Sequence, residues 1–530
     1  MRIFTVIILV FLKEAVCAAS DMADSAYFGI ASIWTHTNDD VEEFPFVRVL
    51  QGVTYWKKLQ PVSADQFDWC QFDLDMNRAA ELKKPMVIQI NGGAPEWIFA
   101  EVPWVGGTAR NCRAPQFWHP IYMKHYCNLL EKVADRVKSS PHRKWVLGIR
   151  VQPNAFNTEA WRWDFHHGEV LKAGSTIDRS QWKILEDGKW VPAGDAIYPP
   201  RLEDDDYAVA KQYFAAVVRA YKEAFHPLGI YTFIRPWISF ECGLGNEWMD
   251  EHVYTSPLMV VMGTEASASH FKYMAPRAQD YKRRCIDRGM IGYYEDVKNT
   301  PHQMSTRTRK KFPAGATQND AQEIYWRQLY KLYLGVTYSA TYEQDLERYR
   351  EPGFSEAFRL FNKYAGMYLY PDKTPGAFVV LCEFDGNKES LRNIGYYITQ
   401  IDPDAVEIVG HVDADYRGYS AARLTSEKMS FRVDKAFAAE TQGETVKINV
   451  TWLAERGNEW QLQFRHNKRI KTSEVVSGSS GRWKVQSFII SKADFRSAKV
   501  DFVILKKSGE PIFHMIEIER TNPQVVKKFN

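Results

Sequence analysis

Read for its hydrophobic period, the chain has two textures. From Asp21 to about residue 370, short apolar runs of strand length alternate with stretches of helical period; beyond Pro371 apolar and polar residues alternate one for one. In the first part, strands are predicted at Tyr27–Trp34, Phe46–Tyr55, Pro85–Asn91, Val146–Val151, Ile230–Phe240, Leu258–Met262, Met290–Tyr294 and Val336–Tyr342. Helices are predicted at Phe72–Lys84, Ile121–Val137, Tyr207–Phe225, Ala275–Arg288 and Ala321–Leu334. Runs such as Val146–Val151 are mostly Val, Leu and Ile with one Gly, the pattern of a strand buried on both faces. Eight such strands, each followed by helical or loop material, predict a (β/α)8 TIM barrel. A doubly wound open sheet is the alternative, but no Gly-rich phosphate turn follows the first strand.

In the second part Val446, Ile448, Val450 and Trp452 alternate with Lys447, Asn449 and Thr451, and the rhythm returns at Trp460–Phe464, Trp483–Ile490, Val500–Leu505 and Phe513–Ile518. Period-two segments separated by Gly, Ser and Asn turns predict an all-β sandwich. The expected organisation is a signal segment at 1–20, the barrel at 21–370, a connecting β segment at 371–424 and the sandwich at 425–530, which resembles carbohydrate-binding modules in its jelly-roll-like rhythm and its tryptophans. The connecting segment has strand-like runs and little linker composition, so the sandwich is expected to be docked rather than tethered.

Composition refines this picture. Met1-Arg2, the apolar run Ile3–Leu12 and small residues near Ala18 have the form of a cleaved secretory leader, which predicts a secreted or periplasmic protein without membrane insertion in its mature form. Of the seven cysteines, Cys17 lies in this leader and the other six are too dispersed for a metal knuckle; one or two disulfides are possible, with no pairing legible. A net charge of +3 and the absence of a basic stripe argue against nucleic acid. Aromatic residues reach 14 %, with 17 Trp, more than core filling ordinarily requires and suited to stacking on flat apolar faces such as sugar rings.

The candidate chemistry lies where strands stop, because a TIM barrel builds its site at the carboxyl ends of its strands. The fourth strand runs into Gln152-Pro-Asn-Ala-Phe-Asn-Thr-Glu159-Ala-Trp161, and the seventh ends in Glu295-Asp296. Two carboxylates flanking a glycosidic bond can cleave it, one protonating the leaving oxygen and the other attacking the anomeric carbon or activating water. Glu159 and Glu295 are the expected catalytic pair. Glu265, Glu241 and Glu343, at the ends of strands six, five and eight, are competing acids, and Glu265 is carried as a substrate ligand. Trp56, Trp97, Trp161, Trp237 and Tyr294 are expected to stack on sugar, with Asn91, Gln152 and Asn157 bonding hydroxyls. The loops 92–118 and 162–200 are expected on the binding face. His166-His167 lacks a third ligand at a defined spacing, and no zinc-protease, nucleophile-elbow or nucleotide motif occurs, so neither metal nor cofactor is expected.

A glutamate after strand four preceded by Asn157, a second glutamate after strand seven and an aromatic rim resemble the clan A glycoside hydrolases. The early segment Trp56-Lys-Lys-Leu-Gln-Pro61, Phe67-Asp-Trp69, Phe72-Asp-Leu-Asp75, Ala79-Ala80 and Lys84-Pro85 is similar to the start of β-galactosidase and agarase-type members. The resemblance spans residues 27–365 and implies a retaining β-glycosidase acting on an oligo- or polysaccharide, with Glu159 as acid/base and Glu295 as nucleophile. Thr158 stands between Asn157 and Glu159, where clan members commonly have Asn directly before the acid/base. A secreted carbohydrate-binding protein on an inactive barrel is the alternative expectation.

Overall fold

The computed structural model describes residues 27–33, 43–102, 104–105, 114–115, 117–152, 182–186, 189–192, 208–235, 246–266, 281–296, 317–383, 392–466, 469–496 and 499–521. Strands β1 (Gly29–Ile33), β2 (Val47–Tyr55), β3 (Met86–Asn91), β4 (Val146–Arg150), β5 (Tyr231–Ile234), β6 (Met259–Ala266), β7 (Tyr293–Asp296) and β8 (Tyr338–Tyr342) form a closed barrel in chain order. The pairs β2–β3, β3–β4, β4–β5, β5–β6 and β7–β8 are parallel. Every residue of β1, β3, β4 and β5 is buried, as expected where both sheet faces are covered. Gly148 allows β4 to approach β5: a Cβ there would lie 2.1 Å from the Phe233 ring and 2.7 Å from the Tyr231 carbonyl oxygen.

The main helices are α1 (Cys70–Leu82), α2 (Pro120–Ser139), α3 (Ala208–Phe225), α4 (Asp320–Leu334) and α5 (Pro352–Tyr364). Three of them have a local cause in the sequence. Pro120 at the first turn and the His119 side chain, which accepts from the Ile121 amide, start α2. Asn319 caps α4 by accepting from Gln322 N, and Gly335, at φ 78°, ends it. The helix α5 was not anticipated; Pro352 opens it, and Phe354, Phe358 and Phe361 are buried along one face. Strand β6 runs on to Ala266, and β7 takes in Glu295 and Asp296, so the predicted strands six and seven each stopped short. Of the helix expected at 275–288, residues 275–280 lie outside the described ones.

By internal contacts the chain forms two compact units, one of residues 1–27, 32–43 and 48–263, the other of residues 28–31, 44–47 and 264–530. Within the first, the loops after β3 and β4 share a small antiparallel sheet in which Trp104–Val105 lies between Ala114–Pro115 and Trp182–Glu186, with Lys189–Pro192 at the edge. Among the described residues no helix is long and apolar enough to cross a membrane. Cys70, Cys127, Cys285 and Cys382 are free thiols. The predicted leader and His166-His167 fall outside the described residues.

The second unit carries two antiparallel sheets. Their strands are β9 (Gly376–Glu383), β10 (Arg392–Tyr396), β11 (Ile398–Gln400), β12 (Val406–Gly410), β13 (Ser420–Leu424), β14 (Lys428–Val433), β15 (Val446–Leu453), β16 (Glu459–His466), β17 (Arg469–Thr472), β18 (Val476–Ser477), β19 (Trp483–Ile490), β20 (Phe502–Ser508) and β21 (Ile512–Arg520). One sheet runs β10-β9-β21-β13-β12 with β15 joining β21 to β19; the other runs β11-β14-β20-β16-β17 with β18 on β16. Val379, Ile448, Val450, Ile516 and Ile518 of the first share one core with Phe431, Trp460, Leu462 and Ile504 of the second, which makes the pair a sandwich. Of the strands between 376 and 424, β9, β10, β12 and β13 belong to the first sheet and β11 to the second. Asn449, which begins the one Asn-Val-Thr glycosylation sequon at 449–451, lies in mid-strand at 6 % exposure, donating to Glu519 (2.9 Å) and Glu517 (3.3 Å) and accepting from Ser487 (2.7 Å), so its amide is committed inside the fold.

The seven-stranded sheet packs on α4 and α5. Tyr325 hydrogen-bonds His514 (2.8 Å), Trp326 Nε1 donates to the Tyr416 carbonyl (2.8 Å), and Lys363 and Tyr364 both reach Glu517 (2.8 and 2.7 Å). His514 is fully buried, and burial, with Arg417 adding to it, pulls its imidazole down to about 3. A depressed histidine favours folding while it is neutral: its contribution is complete above the ordinary value near 6.5 and drains away as pH falls from there toward 3. The unfolding midpoint should therefore fall between pH 6.5 and 5, before most carboxylates protonate, at a rate approaching about 1.4 kcal/mol per pH unit. In His514→Gln that slope should flatten; midpoint-against-pH curves that are parallel for the two proteins would show that His514 does not titrate this way.

Candidate active site

Strand β7 presents consecutive residues to opposite faces, and its neighbours show which face is which. Tyr294 stands edge-on to Tyr330 of α4 (6.1 Å) and to Tyr281 (5.7 Å), and Asp296 lies 2.5 Å from Lys331 Nζ of α4. Both therefore face the helix layer, which leaves Tyr293 and Glu295 facing the barrel interior. On β8, Ser339 accepts from Lys331 (2.6 Å) and contacts Thr341 (3.3 Å) on the helix side, so Tyr338, Ala340 and Tyr342 face inward. The Tyr342 hydroxyl donates to Glu295 Oε1 at 2.9 Å, and Glu295 is only 2 % exposed. Tyr294, expected to stack on sugar, is thus corrected to a helix-packing residue by the alternation of the strand.

Behind Glu295 lies a buried set of charges. Glu323, Arg327 and Lys331 occur at four-residue spacing on α4 and share one face of it. Arg327 lies 3.1 Å from Asp345, 3.7 Å from Asp296 and 3.6 Å from Glu323, all within the core. Burial pulls the Lys331 ammonium down to about 8 although Asp296 draws it back up, and burial pushes Asp345 up to about 6 against the pull of Arg327. For Arg327, burial opposes the charge, but Asp296, Asp345 and Glu323 outweigh it and hold the guanidinium above its usual range. Tyr342 and this charged set were missed in the sequence. Tyr342 precedes the flagged Glu343 and could have been found from strand parity, whereas 323/327/331 has the spacing of an ordinary solvated helix stripe.

On the first unit, amides gather at the carboxyl ends of β3 and β4, where β4 itself ends in the fully buried Arg150, the register partner of Gln89. Gln51 Nε2 donates to Gln89 Oε1 (2.5 Å), Gln89 Nε2 to Asn91 Oδ1 (2.6 Å), and Gln152 Nε2 approaches Asn91 Oδ1 (3.5 Å). Asn91 and Gln152, both predicted site residues, are brought together here. Trp97, half-buried after β3, donates to the Gln60 carbonyl (3.0 Å) and stands edge-on to His125 (5.0 Å). Trp56 is corrected: it is 1 % exposed, bonded to Gln60 Oε1 (2.5 Å) and enclosed by Trp97, Tyr122 and Tyr126, so no ring face remains for a sugar. The backbone of Glu265 lies near the end of β6. Glu159, Asn157, Trp161 and Trp237 lie outside the described residues. Among the described residues no group of His, Cys, Asp or Glu is arranged to hold a metal ion.

No protein-family model and no curated protein matches the chain. Among solved structures, the catalytic domain of a β-amylase from Paenibacillus polymyxa is similar at 10 % identity and a TM-score of 0.41, over 64 % of this chain and 97 % of that one. A cold-adapted β-galactosidase from Rahnella sp. R3 is similar at 12 % identity and a TM-score of 0.38, over 65 % of this chain; the chain spans 57 % of that protein.

Removing Lys331 should expose the cost of the charges it neutralises. Lys331→Met leaves Asp296 buried beside Asp345 and Glu323, and breaking a buried pair from one side typically costs about 3–5 kcal/mol. Denaturant unfolding should register a loss of that order, largely recovered by adding Asp296→Asn. A single-variant loss below about 1 kcal/mol, the scale of an exposed ion pair, would show that the pair is not what stabilises this region.

Proposed function

We propose that the protein is a secreted retaining glycoside hydrolase that cleaves β-glycosidic bonds in an oligo- or polysaccharide, with Glu295 as nucleophile and Glu159 as acid/base. The observation that carries this reading is Glu295 itself: a buried carboxylate at the carboxyl end of an inward-facing barrel position, oriented by the Tyr342 hydroxyl, while its neighbour Asp296 is consumed by ion pairs on the other face. In the first step, Glu295 attacks the anomeric carbon as Glu159 gives its proton to the leaving oxygen, and the glycosidic C–O bond breaks. In the second, Glu159 takes a proton from water, whose oxygen attacks the anomeric carbon and releases Glu295 as carboxylate. The hydroxyl of Tyr342 holds the carboxylate in one orientation for attack, a positioning role. The sandwich, through the sheet face on α4 and α5, serves in this reading to brace the barrel's last two strands.

Purified protein screened against plant, algal and host polysaccharides should release product, with the first-formed anomer matching the substrate's configuration by NMR. Glu295→Gln should abolish turnover while leaving saccharide binding. Glu159→Gln should lose about 10²–10⁴-fold on natural glycosides but much less on aryl glycosides whose leaving group needs no proton. Full activity in Glu295→Gln would remove it as nucleophile. Binding without product release, in wild type and Glu295→Gln alike, would favour instead a carbohydrate-binding protein on an inactive barrel.

A further inference from the structure

The amide chain on β2, β3 and the end of β4 has a direction. Gln51 donates to Gln89, and Gln89 donates to Asn91, so the carbonyls of Gln89 and Asn91 are used as acceptors and the orientation of each of these two amides is set by the one before it. The last amide in the chain, Asn91, spends its Oδ1 on Gln89 and Gln152. Its Nδ2 has no hydrogen-bond partner among the described residues, and neither has Gln152 Oε1. Both side chains are essentially inaccessible, at 0 % and 1 % exposure. Gln152 is itself immobilised through its backbone: its N–H donates to the Tyr221 hydroxyl (3.1 Å), its carbonyl accepts from Tyr126, and the two tyrosine hydroxyls are 2.8 Å apart.

A buried donor and a buried acceptor left unpaired side by side are costly, and a fold retains such a pair where it serves something other than stability. Here they stand on residues whose amides touch, at the carboxyl ends of adjacent strands, the end of a barrel where ligands bind. A hydroxyl group is the complement of such a pair, since it accepts one hydrogen bond through its oxygen and donates one through its proton. We propose that Asn91 Nδ2 and Gln152 Oε1 form a preset recognition point for a single hydroxyl of a saccharide, with Gln51 and Gln89 as positioning residues that fix which end of the Asn91 amide is presented. This rests on the carbohydrate reading above and specifies how the sugar is recognised. Because the amide chain sets the polarity in advance, the point discriminates against any sugar in which that hydroxyl is missing or methylated, as sites built to bond a hydroxyl do.

The test is a deoxy scan. Thermal shifts are measured for wild type and Glu295→Gln with methyl glycosides of common hexoses and pentoses and with short oligosaccharides, and the best ligand is then examined as its series of monodeoxy analogues. One position should stand out, its removal weakening binding to wild type by about tenfold or more. In Asn91→Leu and Gln152→Leu the parent sugar should bind that much more weakly and the same deoxy analogue should no longer be distinguished from it, while the ligand-free melting temperature of Gln152→Leu, which leaves Gln89 its acceptor, stays level or rises. Gln89→Met should weaken discrimination at that one position, and Gln51→Met should follow in the same direction. If both leucine variants melt lower and keep the wild-type deoxy profile, the two amides serve structure alone and the proposal is overturned. Loss of turnover in Glu295→Gln with that unchanged profile would sink this inference and leave the catalytic reading standing; full turnover in Glu295→Gln with a changed profile would do the reverse. If no saccharide shifts wild type, both fall.

Discussion

The structure of the second unit depends on one helix that is covered on every side. Along α4, residues 322–332 are all buried, including Gln322, Glu323, Arg327, Gln328 and Lys331. One face lies on β7 and β8, and another meets the seven-stranded sheet through Tyr325 and the connection between β12 and β13 through Trp326 and Gln322, whose amide donates to the Asp415 carbonyl at 2.9 Å. A helix with no solvent face cannot leave its charges to water, so they have to be answered within the core. Two cations, Arg327 and Lys331, meet three carboxylates, Glu323, Asp296 and Asp345. Burial first, with the charge of Asp296 adding to it, displaces Asp345 upward to about 6 against the pull of Arg327.

That arrangement bears on the candidate chemistry through the backbone. Asp296 on β7 and Ser339 on β8 are both held by Lys331, so the outward residues of two adjacent strands are tied to the same ammonium. Strand alternation then presents the intervening inward residues, Glu295 and Tyr342, from strands that are pinned from behind. A carboxylate expected to attack a fixed carbon gains from such support, because precision in a site comes from the shell that holds it. On the first unit, amides perform the comparable task beside the buried Arg150: Gln51 and Gln89 orient Asn91.

Much of the fold was legible in the chain. Buried parallel strands are continuous apolar runs, which is why the eight segments that close the barrel could be counted, and the sandwich announced itself by a period of two at Val446–Trp452 and Trp460–Phe464. The helix α5 was missed because its Phe354, Phe358 and Phe361 lie just before the change of texture near Gly366, where a helical period is hard to separate from the strand-like runs beyond it. The candidate site was legible by position only. Tyr294 and Glu295 are adjacent and both looked available, yet the strand can send only one of them inward, and Tyr330 and Lys331 on α4 decided which. Trp56 has the same composition whether it stacks on a sugar or on Trp97, Tyr122 and Tyr126.

The sequence by itself determined which residues share a face: period two placed Glu295 opposite Asp296, and four-residue spacing aligned Glu323, Arg327 and Lys331. Only the tertiary structure decided what covers each face. The stripe on α4 would be a solvated surface in most proteins and here is buried, because α5, two barrel strands and a β-sheet meet around one helix. Periodicity is a local property of the chain, set by backbone geometry; burial depends on contacts between residues far apart in sequence, such as Tyr325 with His514, and no local pattern encodes them.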